Sequence, residues 1–151
     1  MVTRLAQAKA AAAAVEDPEI PVLTIADLGI LRNVRLDGDT VEVTITPTYS
    51  GCPAMNVIAW EIEAALSRAG FPKTRVLSVL SPAWTTDWMS EDGRRKLRDY
   101  GIAPPDPSAH PACPQCKSKN TELISAFGST ACKALHRCLA CREPFDAFKC
   151  H

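Results

Sequence analysis

Cysteine is the residue type in this sequence with the clearest capacity for chemistry. The chain has 151 residues and seven cysteines. Four of them form two CxxC pairs, Cys113 with Cys116 and Cys138 with Cys141, and residues 117–137 lie between the pairs. Two such pairs supply the four thiolates of a tetrahedral Zn²⁺ site. Iron bound as in a rubredoxin is the alternative for the same four ligands.

The segment that carries these pairs, 113–151, is too short to fold on a hydrophobic core alone. Below about 40 residues, a chain usually needs a metal or cross-links to hold its structure, and a bound metal then contributes folding free energy. Three strands are predicted here, at 121–127, 132–138 and 144–149. The sequence therefore predicts a zinc ribbon. Lys117 and Arg142 stand where a glycine often follows the second cysteine, so the sequence leaves the turn geometry open.

Three further candidate ligands, Cys132, Cys150 and His151, lie away from the CxxC pairs. At about 3.3 Å per strand residue, Cys132 is roughly 20 Å from Cys138 and cannot join the first site without a sharp bend. The third strand runs toward the same free end. We therefore expect a second sulfur cluster there, either a second metal or iron–sulfur site that Cys52 could complete, or unliganded thiols or a disulfide.

The seventh cysteine, Cys52, stands at the predicted start of a helix. Pro53 suits the first helical position, because the N–H that proline lacks would be unpaired there. Cys52 is then the N-cap, and the positive end of the helix lowers the pKa of its thiol and favours the reactive thiolate. The alternative is a small buried apolar residue, which is the usual role of a free cysteine.

The elements that must position Cys52 follow from apolar periodicity. The predicted order is a helix at 5–15, strands at 29–36 and 40–46, a helix from Pro53 to Gly70 and a strand at 74–80. Asp37-Gly38 favours a tight turn between the first two strands. Ile58, Ile62 and Leu66 lie on one side of the second helix. The fold class is α+β, a small helix-on-sheet sandwich followed by the ribbon.

Acidic residues cluster where the first helix ends, at Asp17-Pro-Glu-Ile-Pro21, and again at Asp27. Turn and cap chemistry is the simplest interpretation of Asp17 and Asp27. The alternative is that Asp17, Glu19 and Asp27 support a catalytic or metal site. The two tryptophans that follow the sheet, Trp84 and Trp88, are interpreted as packing residues.

A helix between Ser90 and Gly101 carries a cluster of cations, which is either a solvated face or a surface for a partner. The prolines that follow it indicate a stiff, extended linker. The predicted domains are 1–102, a proline-rich linker at 103–112 and the ribbon at 113–151. His110 in the linker and His136 in the ribbon are interpreted as structural residues.

Composition limits the remaining function classes. Acidic and basic residues balance at 17 each, so nothing demands nucleic acid or a membrane surface. No apolar run approaches the roughly 20 residues of a spanning helix, and the alanines at 10–14 are too short for a signal-peptide core. We expect a cytoplasmic protein whose cysteines serve metal or redox chemistry rather than a disulfide framework.

Several of these motifs resemble a known family. Asp17-Pro-Glu-Ile-Pro21, Asp27-Leu-Gly29, Thr46-Pro-Thr48 and Ser50-Gly-Cys-Pro53 resemble the iron–sulfur assembly domain family of SufT-like proteins, over about residues 1–100. A second set resembles the D component of the phenylacetyl-CoA ring-epoxidase system, over nearly the whole chain. That set comprises Trp84-Thr-Thr-Asp-Trp-Met-Ser90, Tyr100-Gly-Ile-Ala-Pro-Pro105, Phe127-Gly-Ser-Thr-Ala-Cys-Lys-Ala134, Glu143-Pro-Phe-Asp146 and Phe148-Lys-Cys150.

The resemblance implies an accessory role in phenylacetate catabolism, not the ring epoxidation itself. In that system a diiron subunit carries the oxygen chemistry and a reductase with flavin and a [2Fe–2S] centre supplies electrons. The D component is implied to mature or repair these centres, with the reductase and the iron–sulfur assembly machinery as partners. Cys52 matches the family's motif cysteine, for transient cluster or persulfide handling, and Asp17, Glu19 and Asp27 match its acidic positions.

The residues themselves agree that the chain is not the oxygenase or the reductase, because it has no Glu-x-x-His diiron motif and no dinucleotide fingerprint. Other hypotheses stay open. The chain could be a structural adaptor that docks through its ribbon and basic helix, or a thiol enzyme that uses Cys52, although no histidine lies near Cys52 in sequence. Zero net charge argues against a nucleic-acid-binding ribbon.

Overall fold

The computed structural model describes residues 3–48, 54–108, 110–128, 130 and 132–149. They form two compact units, Met1–Ser90 and Glu91–His151. The prolines suggest a boundary after residue 102, whereas the observed units divide before the basic helix. The reason is that residues 102–103 form a strand in the second sheet, which ties the preceding helix to that unit.

The first unit contains a three-stranded sheet and the helices that cover it. Its elements are α1 (Arg4–Ala13), α2 (Ile25–Leu28), β1 (Leu31–Asp37), β2 (Thr40–Ile45), α3 (Ala54–Arg68), β3 (Thr74–Ser78) and a 3₁₀ turn (Thr86–Trp88). The sheet order is β1-β2-β3. β1 and β2 form the predicted antiparallel hairpin, and β3 lies parallel to β2 after the crossover through α3. The predicted α+β class is confirmed.

Aliphatic side chains hold the first unit together. Val41, Val43 and Ile45 of β2 are buried, and so are Ile58 and Ile62 of α3. The alternation along β2 and the spacing of four along α3 bring these residues onto facing surfaces. Burial of each such side chain contributes about 1.5–3 kcal/mol, so this unit has a conventional hydrophobic core.

The turn after α2 is fixed by local hydrogen bonds and by the tryptophan segment. Thr24 and Asp27 form a capping box at the start of α2. Gly29 ends the helix with φ 80°, as helix C-termini commonly do. The indole Nε1 of Trp84 donates to the Leu28 carbonyl oxygen at 2.8 Å. Trp84 is buried, as its packing interpretation predicts.

The second unit is the ribbon together with the helix and strand that precede it. Its elements are α4 (Glu91–Tyr100), β4 (Ile102–Ala103), β5 (Thr121–Ser125), β6 (Lys133–Cys138) and β7 (Pro144–Phe148). The sheet order is β4-β7-β6-β5. The three predicted ribbon strands are present, and β4 adds a short parallel strand beside β7. None of the helices in the described parts of the chain is long and apolar enough to cross a membrane.

Candidate metal centre

The four cysteines of the CxxC pairs converge in the second unit. Cys113 and Cys116 lie in the turn before β5, Cys138 ends β6, and Cys141 lies in the turn before β7. Their four sulfur atoms all lie within 4.8 Å of one another. The Sγ–Sγ distance is 3.6 Å between Cys113 and Cys141 and 3.5 Å between Cys116 and Cys138. The four cysteines that the CxxC spacing predicts as one metal site therefore form one cluster.

The size of this cluster fits a tetrahedral metal ion. With Zn–S bonds of about 2.3 Å, the sulfurs of a tetrahedral site lie about 3.8 Å apart, close to the distances found here. The backbone N–H groups of Gln115 and Cys141 donate to the sulfurs of Cys113 and Cys138, both at 3.4 Å. These hydrogen bonds favour the thiolate form of both ligands. Four thiolates suit zinc, and they suit iron as well.

The electrostatics of the cluster also favour a cation. A hydrogen bond from the backbone N–H of Cys141 lowers the pKa of the Cys138 thiol to about 6. The pKa of Cys141 shifts the other way. A backbone hydrogen bond with Glu143 lowers it, but burial and the neighbouring thiols raise it to about 12. Because one thiolate opposes ionisation of the next, a positive ion is needed for all four to ionise together.

Both cysteine turns contain a residue in the left-handed conformation. Lys117 has φ 66° and Arg142 has φ 67°. The backbone N–H of Lys117 donates to the Cys113 carbonyl at 2.8 Å, and that of Cys138 donates to the Glu143 carbonyl at 3.0 Å. Two cationic residues therefore adopt the left-handed backbone conformation that a glycine usually provides in such a turn. The sequence alone leaves this point open.

The remaining candidate ligands are separate from the cluster or lie outside the described residues. Cys132 is buried beyond the far end of β6, and its Sγ lies 3.0 Å from the Thr130 hydroxyl. Cys150 and His151 lie outside the described residues, as do Cys52 and Pro53. The second sulfur cluster, and its completion by Cys52, stay predictions.

The acidic candidates in the first unit make turn and cap contacts. Asp17 is buried, and its Oδ1 accepts from the backbone N–H groups of Glu19 at 2.8 Å and Ile20 at 2.9 Å. Asp27 completes the capping box and accepts a hydrogen bond from the Ser90 hydroxyl at 3.4 Å. These contacts account for the positions of Asp17 and Asp27. A supporting role for Asp17, Glu19 and Asp27 at a reactive site stays a prediction.

The two histidines that the structure describes in the second unit, His110 and His136, contact the ribbon strands. The Nδ1 of His110 lies 2.8 Å from the Thr121 carbonyl oxygen. His136 is buried and stacks on Phe145 with 5.7 Å between ring centroids. Burial, with a smaller contribution from His110, lowers the pKa of His136. The buried Nδ1 of His136 has no hydrogen-bond partner among the described residues, and the structural interpretation of both histidines stays a prediction.

A cleft of about 460 Å³ lies between α4 and the first cysteine turn. We call it the cationic cleft, because Arg94, Arg98 and Lys117 line it, together with Pro104, Pro105 and Pro114. The sequence already places both arginines in the predicted basic helix. It does not identify Lys117 as a binding residue, and the one signal for it is a cation at a position that often holds glycine.

Two family models match the chain. One, described as iron-sulfur cluster assembly protein, matches residues 5–79. The other, described as PaaD zinc beta ribbon domain, matches residues 101–149. The two matched ranges lie on either side of the tryptophan segment and α4. They define the class of the protein, an iron–sulfur assembly-type α+β domain joined to a zinc ribbon.

Two curated relatives extend this result. A protein of Escherichia coli (strain K12) assigned as the D component of 1,2-phenylacetyl-CoA epoxidase is 54% identical over 143 residues, which cover 90% of this chain and 87% of that protein. The Fe-S protein maturation auxiliary factor YitW of Bacillus subtilis (strain 168) is 40% identical over 78 residues, 50% of this chain and 76% of YitW. The chain therefore belongs to the PaaD family, that of the phenylacetyl-CoA epoxidase D component.

Solved structures resemble the chain over about two thirds of its length. A domain of unknown function, DUF59, from Bacillus anthracis aligns with a TM-score of 0.57 and 28% identity, covering 62% of this chain and 90% of that domain. A conserved hypothetical protein of Thermotoga maritima aligns with a TM-score of 0.52 and 28% identity, covering 64% and 94%. Both likenesses support the α+β fold.

Proposed function

We propose that this chain is an accessory maturation factor of the phenylacetyl-CoA ring-epoxidase complex. It assists the assembly of iron–sulfur or iron centres in its partner subunits, in the cytoplasm. One observation carries the proposal. A domain matched to iron–sulfur assembly proteins and a ribbon matched to the PaaD family occur in a single chain. The 40% identity to an Fe-S protein maturation factor supports the same role for the first unit.

In this proposal the cluster of Cys113, Cys116, Cys138 and Cys141 holds a structural Zn²⁺. Four thiolates leave no open position on the metal, which is typical of structural rather than catalytic zinc. The cysteines cross-link the ends of the ribbon strands, so the metal supplies folding free energy to the second unit. Iron in the same ligands would have the same structural effect.

Maturation itself is assigned to Cys52, acting as a transient thiolate ligand to cluster iron. Thiolates are the usual protein ligands of iron–sulfur clusters. The connection from β2 to α3, which contains Cys52 in the sequence, begins at the carboxyl end of a strand that pairs in parallel with β3. α3 has 15 residues, which is long enough for its N-terminus to stabilise a thiolate.

The test uses the iron–sulfur flavin reductase of the epoxidase system as the proposed recipient. The reductase is produced alongside this chain or its Cys52→Ser variant, and its [2Fe–2S] occupancy is measured by absorption and iron content. We expect a severalfold loss of occupancy with Cys52→Ser, because serine is a poor cluster ligand. Asn56→Ser, an exposed change in the same helix, is the control and should leave occupancy unchanged.

A structural adaptor is the second candidate, and the surface of the ribbon favours it. Leu123, Ile124 and Phe127 are exposed by 56%, 49% and 81%. Exposed apolar side chains that form a contiguous patch are typical of interaction surfaces. If Cys52→Ser leaves reductase occupancy unchanged while the epoxidase subunits still assemble with this chain, the adaptor is supported and the maturation role is contradicted.

A further inference from the structure

We propose that the cationic cleft is a docking site for an acidic segment of a partner protein. The cleft lies within the second unit, between α4 and the turn of Cys113 and Cys116. This inference goes beyond the proposed function, because it holds whether or not the docked partner receives a metal centre. It depends on three features, which are the state of the cations, the position of Lys117 and the nature of the walls.

The cations of the cleft are arranged in a way that favours carboxylates. The guanidinium of Arg94 donates to the Pro105 carbonyl at 3.2 Å, which fixes it on the wall. Arg98 lies one helical turn later on the same face of α4. In the part of the chain that the structure describes, Arg98 and Lys117 form no salt bridge within 4.0 Å, whereas Arg95 pairs with Asp92 at 3.2 Å.

The acidic residues of the cleft balance only part of this positive charge. Asp106 also lines the cleft, but it is engaged by Lys119 at 3.7 Å and by the backbone N–H of Ser108 at 2.9 Å. Asp99 is the other acidic lining residue. With three cations and two carboxylates, the lining keeps an excess of one positive charge in a chain whose formal net charge is zero. Such a local excess selects acidic partners.

The position of Lys117 is the second feature, and the first cysteine turn holds it at the rim of the cleft. Its φ of 66° is one that glycine adopts freely and that other residues adopt at a cost. Here the conformation places a lysine, rather than a residue without a side chain, at the rim of the cleft.

The walls favour a polypeptide over a small phosphate-bearing ligand. Phosphate sites usually present several unpaired backbone N–H groups. In the first cysteine turn, the N–H of Lys117 is bound to the Cys113 carbonyl and that of Gln115 to the Cys113 sulfur. The other walls are the rigid, apolar rings of Pro104, Pro105 and Pro114. A segment that mixes acidic and apolar side chains matches both kinds of surface.

The test measures binding of a fluorescein-labelled peptide of 12 residues, alternating Glu and Leu, to the zinc-loaded full chain by fluorescence anisotropy. We expect saturable binding that weakens at least tenfold in the double variant Arg98→Gln/Lys117→Gln. The matched control is Arg95→Gln/Arg142→Gln. It removes the same charge from α4 and from the same backbone conformation in the other cysteine turn, outside the cleft. This control should bind nearly as the wild type does.

Three outcomes would overturn the proposal. The peptide could fail to bind, both double variants could weaken binding equally, or inorganic phosphate could displace the peptide at concentrations where chloride of equal ionic strength does not. Failure to bind would show that the cleft is not a peptide site. Equal weakening would indicate a diffuse basic surface, and displacement by phosphate would indicate a site for small anions. Arg98→Gln alone, which changes α4 and leaves both cysteine turns intact, keeps the test valid if the double variant loses zinc. A peptide with Gln in place of Glu should not bind.

Discussion

The two units of this chain are held together in different ways. Long aliphatic side chains from the sheet and from α3 fill the first unit. In the second unit, one cluster of buried residues consists of Ala103, Cys113, Cys138, Phe145 and Ala147. Two of these five residues are also members of the metal-binding cluster. The comparison indicates that burial of apolar surface stabilises the first unit, and that the metal ion bound by its thiolates stabilises the second.

The largest expected effect follows directly from this difference. Removing the metal with a strong chelator should unfold the second unit and leave the first folded. Structural zinc contributes on the order of 10 kcal/mol to a small domain, more than the total stability of most such domains. Hydrogen exchange of the full chain is the measurement. Amides of β5, β6 and β7 should lose protection, while those of β1, β2 and β3 keep it.

Cys138→Ser tests the same point without a chelator. It should reproduce the loss of protection in the second unit, because it removes a ligand that is also a core residue. Cys132→Ser is the matched control, since Cys132 is buried in the same unit but lies outside the cluster of four. Equal loss of protection in both units after chelation would contradict the assignment of separate stabilising forces.

The next effect concerns a backbone contact in the first unit. Gly29→Ala should destabilise this unit by about 2–4 kcal/mol, from the left-handed backbone and from overpacking. An added Cβ would lie 2.6 Å from both the Cβ and the carbonyl oxygen of Trp88, which cannot move independently. Chemical denaturation is the measurement. It should show a lower midpoint for the first unit, with the second unit unchanged.

Gly38→Ala separates the cost of the left-handed backbone from the cost of overpacking. Gly38 also has a positive φ, 61°, but an added Cβ there meets nothing within 4 Å. Only the backbone cost of about 1 kcal/mol should remain. If Gly29→Ala and Gly38→Ala cost the same, the contact with Trp88 does not constrain the turn after α2.

These contrasts also show what the sequence could predict. Patterns of period two and of 3.6 residues predict β2 and α3 because their side chains face a core. The CxxC spacing predicts the cluster because each pair forms a local turn. β4 has two residues, Ile102–Ala103, and no pattern of its own, so only its pairing with β7 reveals it. The cationic cleft combines residues from α4 and a cysteine turn, whose proximity depends on the tertiary structure.

A smaller effect should appear as a pH dependence confined to the first unit. The carboxylate of Glu42 accepts from Arg35 at 2.7 Å and from Arg75 at 2.5 Å. The hydrogen bond from Arg35, followed by that from Arg75, lowers the pKa of Glu42 below its usual value of 4.5. The folded pKa is the lower one, so the stabilisation is present above pH 4.5 and is lost as pH falls through the folded value.

Denaturation of the full chain at several pH values below 5 tests this linkage. Glu42→Gln should make the stability of the first unit depend less on pH in that window. The loss at neutral pH should be modest, because Arg35 and Arg75 are half exposed and water screens both pairs. An unchanged pH dependence in Glu42→Gln would show that other carboxyl groups dominate the acid sensitivity of this unit.

The smallest effect distinguishes the two cysteine turns from each other. Arg142→Gly should stabilise the zinc-loaded second unit by about 0.5–1 kcal/mol, because relief of the left-handed backbone exceeds the entropic cost of glycine. Lys117→Gly should stabilise it equally, since both residues have nearly the same φ. Zinc-retention assays and hydrogen exchange of β6 measure the gain. Only Lys117→Gly should also weaken peptide binding, because Lys117 lines the cationic cleft and Arg142 does not. If both glycine variants leave peptide binding intact, the side chain of Lys117 has no role there.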